Sequence, residues 1–233
     1  MKQRIQIALA LGIAVAALRV AYIFYERHAE ENAPIQREAP SLNADYYVTP
    51  KKLHPYDLKS ARQLAQQPVW VKEGYRYTFY PYNAEGHRAD FSHEAGLLLP
   101  IQRLEIKDVV TDVSPGSNDQ RQVMAVFTQE GKRYAFPIGS VKDGNYQIYS
   151  DEILYIQDPH ELYKHWPADI WDAIGKHEVK PGMNELQADF AVGMGVLEHS
   201  GDSEVRILDY ANGGMPLRVI YRNGRAVDVQ PRP

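Results

Sequence analysis

Residues 180–195 read KPGMNELQADFAVGMG, and their glycines admit two incompatible readings: a phosphate-binding loop, or the punctuation of a short helix. A dinucleotide fingerprint needs a third glycine where Glu198 stands, and a strand rather than a helix ahead of the loop. A Walker loop needs Gly-Lys followed by Ser or Thr, which the run lacks. The residues do satisfy a helix. Asn184 suits the N-cap, Gln187 the capping-box position, Leu186 and Phe190 an apolar stripe, and Gly193 the stop. Gly182 and Gly193 are read as helix boundaries, and no cofactor is expected.

The flanking sequence extends this into an α-then-β unit over residues 158–233. In DPHELY (158–163), Asp158 is the expected N-cap, Pro159 the first helical residue and Glu161 the capping-box partner. ADIWDAIGKH (168–177) sets Ile170, Trp171 and Ile174 on one stripe of a second helix. HELYKH looks like a zinc-binding motif but fails on spacing. His160 and His165 are five apart, which turns a helix by about 500° and leaves the rings about 140° apart, and Lys164 takes the place the second ligand needs. No metal site is expected.

Strands are expected at EVRILDY (204–210), LRVIYR (217–222) and RAVDV (225–229), the last two joined through Asn223-Gly224 as a hairpin. A two-residue turn there puts Arg222 opposite Arg225, Ile220 opposite Val227 and Arg218 opposite Val229. Arg218, Arg222 and Arg225 are a candidate contact for an anionic group on a protein partner, with a solvated rim as the alternative.

This α-α-β-β-β order resembles the small outer-membrane-assembly lipoproteins of the SmpA/OmlA (BamE-like) family. The resemblance is carried by Gly182 and Met183 before the second helix, Gly193 after it, and Tyr221, Asn223, Gly224 and Val227 in the closing hairpin. It implies a two-layer fold and a binding module rather than an enzyme. That family is anchored through a lipidated cysteine, and this chain has no cysteine at all. The same absence excludes disulfides, thiolate metal sites and cysteine nucleophiles.

Residues 46–157 read as a tyrosine-rich small β module. Strand-like runs PVWV (68–71), YRYTFYPY (75–82), LLLPIQRLEI (97–106), RQVMAVF (121–127), RYAFPIG (133–139), NYQIYS (145–150) and EILYI (152–156) alternate with turn signals. Pro100 marks an edge or a bend, and Glu130-Gly131 a hairpin. No helical pattern intervenes, so a small barrel or sandwich is expected, and the whole chain is read as α+β. Trp70, Tyr75, Tyr77, Tyr80 and Tyr82 form a candidate protein-interaction face, the alternative being that alternate members fill the core.

IQIALALGIAVAALRVAYIFY (5–25) follows Lys2 and Arg4, and only Gln6, Gly12 and Arg19 interrupt its apolar character. About 20 such residues cross the ~30 Å hydrocarbon layer as a helix. The preceding positive charges keep that end in the cytoplasm. The expectation is an uncleaved, single-pass signal-anchor in the inner (cytoplasmic) membrane, with residues 26–233 in the periplasm. A cleaved signal peptide is the competing reading. Its one small-residue site, Ala14-Val15-Ala16, lies inside the run and would leave an apolar new terminus. Arg19 either meets an acidic or lipid group of a membrane partner or snorkels to the interface. Gly12 and Ala16, spaced by four, suit close approach of a second helix. Residues 26–45, polar and with two prolines, read as a linker.

A net charge of −4 without a dense basic run argues against nucleic acid. The favoured function is a non-catalytic, membrane-anchored accessory or scaffold subunit that binds a protein of an envelope complex. Two alternatives are kept: a cleaved periplasmic ligand- or glycan-binding protein, and an exported hydrolase drawing on His87, His93, Glu94, Asp158 and His160.

Overall fold

The computed structural model describes residues 17–25, 43–198 and 204–232. The chain has two compact units, Met1–Asn43 and Ala44–Pro233. In the first, residues 17–25 are helical and exposed throughout, Arg19 among them. Residues 5–16 of the expected span, with Gly12 and Ala16, and residues 26–42 of the expected linker lie outside the described residues. No helix among the described residues is long and apolar enough to cross a membrane.

The unit Ala44–Pro233 is α+β. Its first half is one curled antiparallel sheet, a half-barrel. The central hairpin pairs β7 (Ser117–Gln129) with β8 (Lys132–Lys142), joined by Glu130 and Gly131, both at positive φ as the expected tight turn requires. β6 (Ile106–Ser114) flanks β7, and β2 (Thr78–Asn83) and β9 (Asn145–Ile148) share the far edge of β8. β3 (Arg88–Ala89) and β4 (Gly96–Leu97) pair with β2.

The run VMAVF in β7 does not alternate with polar residues because both of its faces are covered. Val123, Ala125 and Phe127 point into the concave core with Phe79, Phe136 and Ile138. Met124 and Val126 lie under an outer layer that includes Tyr80, Tyr82 and Phe91. Each such buried large side chain contributes roughly 1.5–3 kcal/mol. The two ends of the strand path meet through a side chain rather than a ladder. Ala89 N–H donates to Asp112 Oδ2 at 2.5 Å, and Val113 N–H to Oδ1 at 2.6 Å, with Asp112 itself buried.

Several expectations for this half need correction. It is not free of helix: α1 (Leu58–Ala61) and the 3-10 turn Arg62–Gln66 place Ala61 and Leu64 in the concave core. A capping box between Asp57 and Ser60 starts that segment, which is too short to show periodicity. The strand-like run 97–106 stops short of most of β6 because Asp108 and Asp112 disfavour strands; one adjoins a register shift and the other holds the sheet ends together. YRYTFYPY becomes strand only from Thr78, because Tyr75 has a φ of 60°. LLLPIQRLEI breaks at Pro100-Ile101 into β4, β5 (Arg103–Leu104) and the start of β6. EILYI begins in the turn α2 (Ser150–Ile153), leaving only β10 (Leu154–Tyr155) as its strand.

A short ladder, β10–β1–β5 with β1 at Val69–Val71, leads into the second half. Leu154 belongs to the first core and Tyr155 to the second. There, α3 (Pro159–Leu162), α4 (Ala168–Gly175) and α5 (Glu185–Val192) precede a four-stranded meander. Its strands are β11 (Gly195–Glu198), β12 (Val205–Tyr210), β13 (Leu217–Arg222) and β14 (Arg225–Pro231). The α5 caps are those read from sequence: Asn184 and Gln187 close a capping box, and Gly193 terminates the helix at φ 82°. Trp166, from the turn before α4, packs with Ile174, Phe190 and Val192 of the helices in one core with Leu208, Tyr210, Val219 and Tyr221 of the sheet.

Two details differ from the expected α-α-β-β-β order. β11 adds a fourth strand directly after Gly193. The closing hairpin pairs Arg222 with Arg225 as expected, but a bulge between Ile220 and Tyr221 then shifts the register, pairing Ile220 with Asp228 and Arg218 with Gln230. Val227 is displaced outward and exposed, while Ala226 and Val229 stay on the inner face.

Asp45 ties the start of the unit to these helices. Its carboxylate accepts from His165 Nε2 and Trp166 Nε1, both at 2.6 Å, and from Asn184 Nδ2 at 2.7 Å. Read from sequence as the last linker residue, Asp45 is a fixed anchor.

Candidate functional site at the seam between the sheets

Four residues with positive φ line clefts between the curled sheet and the C-terminal half. Glu130, Asp143 and Asn223 precede glycines in hairpin turns, where such a φ is required. His87 (49°) lies in the turn between β2 and β3, and His54 (50°) lines none of the clefts described below. His177 (56°) is the left-handed residue that closes α4, where the His177 and Glu178 N–H groups donate to the Ile174 and Ala173 carbonyls. Tyr75 (φ 60°), Ile101 (56°) and Asn212 (44°) stand outside hairpin turns and helix ends, and each costs roughly 1–3 kcal/mol unless its surroundings enforce it; such strain gathers at functional sites. These three and His177 line clefts along the seam between the curled sheet and the C-terminal half.

Glycines let the seam close. A Cβ on Gly193 would stand 2.6 Å from the Gly74 carbonyl oxygen, and one on Gly213 would stand 2.7 Å from the Tyr75 ring. Only a residue without Cβ permits these approaches. Tyr75 sits at the crossing point, its ring edge-on to His177 at 6.1 Å.

On one side of the crossing is a cleft of about 360 Å³ lined by Tyr75, Arg76, Met194, Val196 and Asn212. Arg76 Nη1 lies 3.1 Å from Glu73 Oε2 and 3.6 Å from Met194 Sδ. On the other side, about 250 Å³ is lined by Ile101, His160, Trp171 and His177, with the His160 ring stacked on Trp171 at 4.0 Å. A larger hollow of about 650 Å³ between Met215 and Pro231 is a shallow apolar trough and carries none of the strained residues.

Behind the first cleft lies a polar cluster within the second core. Tyr210 and Tyr221 share a hydroxyl–hydroxyl hydrogen bond of 2.8 Å. Burial pushes the Asp189 carboxyl up to about 7; Glu185 adds to the rise, while the Gly195 N–H and the Tyr210 hydroxyl oppose it. Gly195 N–H reaches Asp189 Oδ1 at 3.4 Å, linking this carboxyl to the first residue of β11. Burial also raises the Tyr155, Tyr163, Tyr210 and Tyr221 hydroxyls, so all four stay neutral donors at ordinary pH.

The residues singled out from sequence scatter relative to this seam. Of the tyrosine row, Tyr75 lies in it. Tyr77 packs against the concave core, where burial first, then Glu73, pushes its hydroxyl up to about 12. Tyr80 and Tyr82 pack on the outer layer with Phe91. Arg218 is engaged by Asp209 at 2.8 Å and by Glu198, and Arg232 shares the same Asp209. Arg225 Nη1 donates to the Gly182 carbonyl at 3.1 Å, and Arg222 is exposed at the hairpin end. The three arginines do not converge on one site.

Of the residues named for a hydrolase, His93 bonds Asp90 at 2.8 Å and Ser92 at 2.9 Å within an exposed turn. His87 is exposed, and His160 pairs with Asp158 at 3.1 Å in the second cleft. No described cleft gathers His93, Glu94 and His160. No group of three or more His, Asp or Glu among the described residues is placed to hold a metal.

Arg76, Ile101, His177, Met194 and Asn212 were not among the residues read as candidates. Their one signal in the sequence is the pair of glycine clusters at 193–195 and 213–214, which mark close approach as well as helix ends. Comparison of the chain with protein-family models, with curated proteins and with solved structures gives no match in any of the three.

Proposed function

We propose that this chain is a membrane-tethered, non-catalytic binding protein, an accessory or scaffold subunit of an envelope complex that holds a protein partner in the seam. One observation carries the reading: the clefts along the seam, where Tyr75, Ile101 and Asn212 hold positive φ outside hairpin turns, are lined by apolar side chains, Arg76 and imidazoles, with no nucleophile–base pair in them. Residues 5–25 act as an uncleaved anchor in the inner membrane, N-terminus in the cytoplasm, and the rest works in the periplasm. The exposure of Leu18, Ile23 and Phe24 on the described helical stretch supports this, since such residues suit lipid.

The curled sheet is read as a small barrel whose closure is completed by Asp112. The helix pair α4–α5 with its antiparallel sheet supports kinship with the BamE-like binding modules, from which β11 is a departure. The test is fractionation of the native protein followed by purification in mild detergent. The full-length chain is expected in membranes after a high-salt wash, with a stoichiometric protein partner. A shortened form starting near Ala17 and free of membranes overturns the tether. A monodisperse, partner-free membrane protein overturns the subunit role.

A further inference from the structure

The C-terminal sheet has two edges among the described residues, and they are built differently. β14 carries Arg225, Asp228, Gln230 and Pro231, the charges and proline with which sheets block unwanted pairing. At β11, Met194, Val196 and Leu197 are instead 50%, 72% and 56% exposed. The one charged residue of that strand, Glu198, is engaged by Arg218. An unblocked apolar edge is a template for another strand. The head of this one opens into the cleft beside Tyr75.

We infer that β11 takes up the C-terminal end of a partner polypeptide as an added antiparallel strand, with its last apolar side chain in the Tyr75–Met194 cleft and its terminal carboxylate on Arg76. The inference rests on the binding-protein reading above and names the segment bound. Its direction follows from the register. β11 already pairs antiparallel with β12, and an antiparallel strand on the free side reaches its own C-terminus opposite Gly195, at the cleft.

Two features select a chain end over an internal segment. The Gly74 backbone, packed on Gly193, walls off the groove just beyond this point. At that wall, Arg76 uses one nitrogen, Nη1, for both Glu73 and Met194, which among the described residues leaves Nε and Nη2 for a carboxylate fork. About 360 Å³ lies near the small end of ligand clefts, suited to one or two aliphatic side chains rather than a large cofactor.

The test uses the full chain in mild detergent and fluorescence anisotropy of a labelled Thr-Val-Thr-Val-Val peptide. Three versions are compared: free C-terminal carboxylate, carboxamide, and N-methylated at alternate peptide nitrogens. The acid is expected to bind roughly tenfold more tightly than the amide, and the N-methylated peptide not at all. Arg76→Gln erases the acid preference, and Leu197→Lys weakens acid and amide alike. Both residues are exposed, so unchanged circular dichroism and melting show that the variants fold. Equal binding of acid and amide, retained binding of the N-methylated peptide, or no binding up to millimolar peptide overturns the inference. So does a concentration-dependent dimer that Leu197→Lys abolishes, because a second copy then occupies the edge. A partner that co-purifies undiminished with the Arg76→Gln, Leu197→Lys double variant ends this inference and leaves the tethered-binding reading standing.

Discussion

Replacing Asp189 by Asn tests the buried cluster behind the cleft most directly, because it fixes the side chain in a neutral shape. In the folded chain the carboxyl titrates near 7, against an ordinary value of 3.8, because burial disfavours its charge. Below about pH 3.8 both folded and unfolded states hold the proton, and the group contributes nothing to pH dependence. Between about 3.8 and 7 the folded state keeps a proton that the unfolded state has lost, so stability falls as pH rises; above 7 the loss is complete. The full shift corresponds to about 4 kcal/mol, of which about 2.6 kcal/mol falls between pH 5 and 8. Those figures are ceilings, since Asp189 keeps some exposure.

Urea unfolding followed by tryptophan fluorescence reads this out, because Trp70, Trp166 and Trp171 all pack in the second core. Wild type is expected to lose stability relative to Asp189→Asn by about 1.5–2.6 kcal/mol on going from pH 5 to pH 8. The difference between the two proteins is the quantity that counts, since every other group is common to both. A difference that stays constant within about 0.5 kcal/mol across that range refutes the buried, proton-holding carboxyl.

Asp45→Ala strips the acceptor from His165, Trp166 and Asn184 at once, and thermal melting should show a loss of about 2–4 kcal/mol. Tyr210→Phe leaves the Tyr221 hydroxyl buried without its partner and should cost about 1–2 kcal/mol in urea unfolding, while the double change to Phe costs less than the two single losses added. Gly193→Ala forces a Cβ toward the Gly74 carbonyl at a φ of 82°, so a drop of about 2 kcal/mol or more is expected, with faster amide exchange around Tyr75. Asp112→Asn turns one of its two acceptor oxygens into a donor facing a backbone N–H, and should weaken the seam between β3 and β6 by about 1–3 kcal/mol, measured by hydrogen exchange at Ala89.

Features dictated by nearest neighbours were legible in the sequence. The capping box of Asn184 and Gln187, the stop at Gly193 and the Asn223-Gly224 hairpin depend on residues within one turn of each other, so local chemistry decides them. The β7–β8 hairpin was legible for the same reason. The reading weakened where distant packing overrides propensity. Asp108 and Asp112 sit in a strand because the other end of the curled sheet lies against it. Tyr75 leaves its strand pattern because Gly213 and Gly193 make room for its ring, and the Ile220 bulge moves a hairpin register that turn length alone sets correctly for one pair.

The seam was invisible for a related reason. Its wall is assembled from residues more than a hundred positions apart, as the contact of Arg76 with Met194 shows. Aromatic abundance pointed instead to a row of tyrosines, but the row divides among three environments: Tyr77 inward and Tyr80 and Tyr82 outward by alternation, and Tyr75, outside the strand, into the cleft. Chemistry-bearing residue types were therefore a poor guide in this chain, and glycine was a better one. Gly193 does stop a helix, but a stop needs only a positive φ. The 2.6 Å approach to Gly74 demands the missing Cβ a second time, and that second demand joins the helix end to the neighbouring sheet. A D-alanine at 193, built by chemical ligation, satisfies the φ and carries its Cβ on the side away from the position that meets the Gly74 carbonyl, so it should lose less stability than Gly193→Ala, which meets both penalties. Equal losses for the two variants would refute the argument from the Gly74 approach, and the seam would lose its main support.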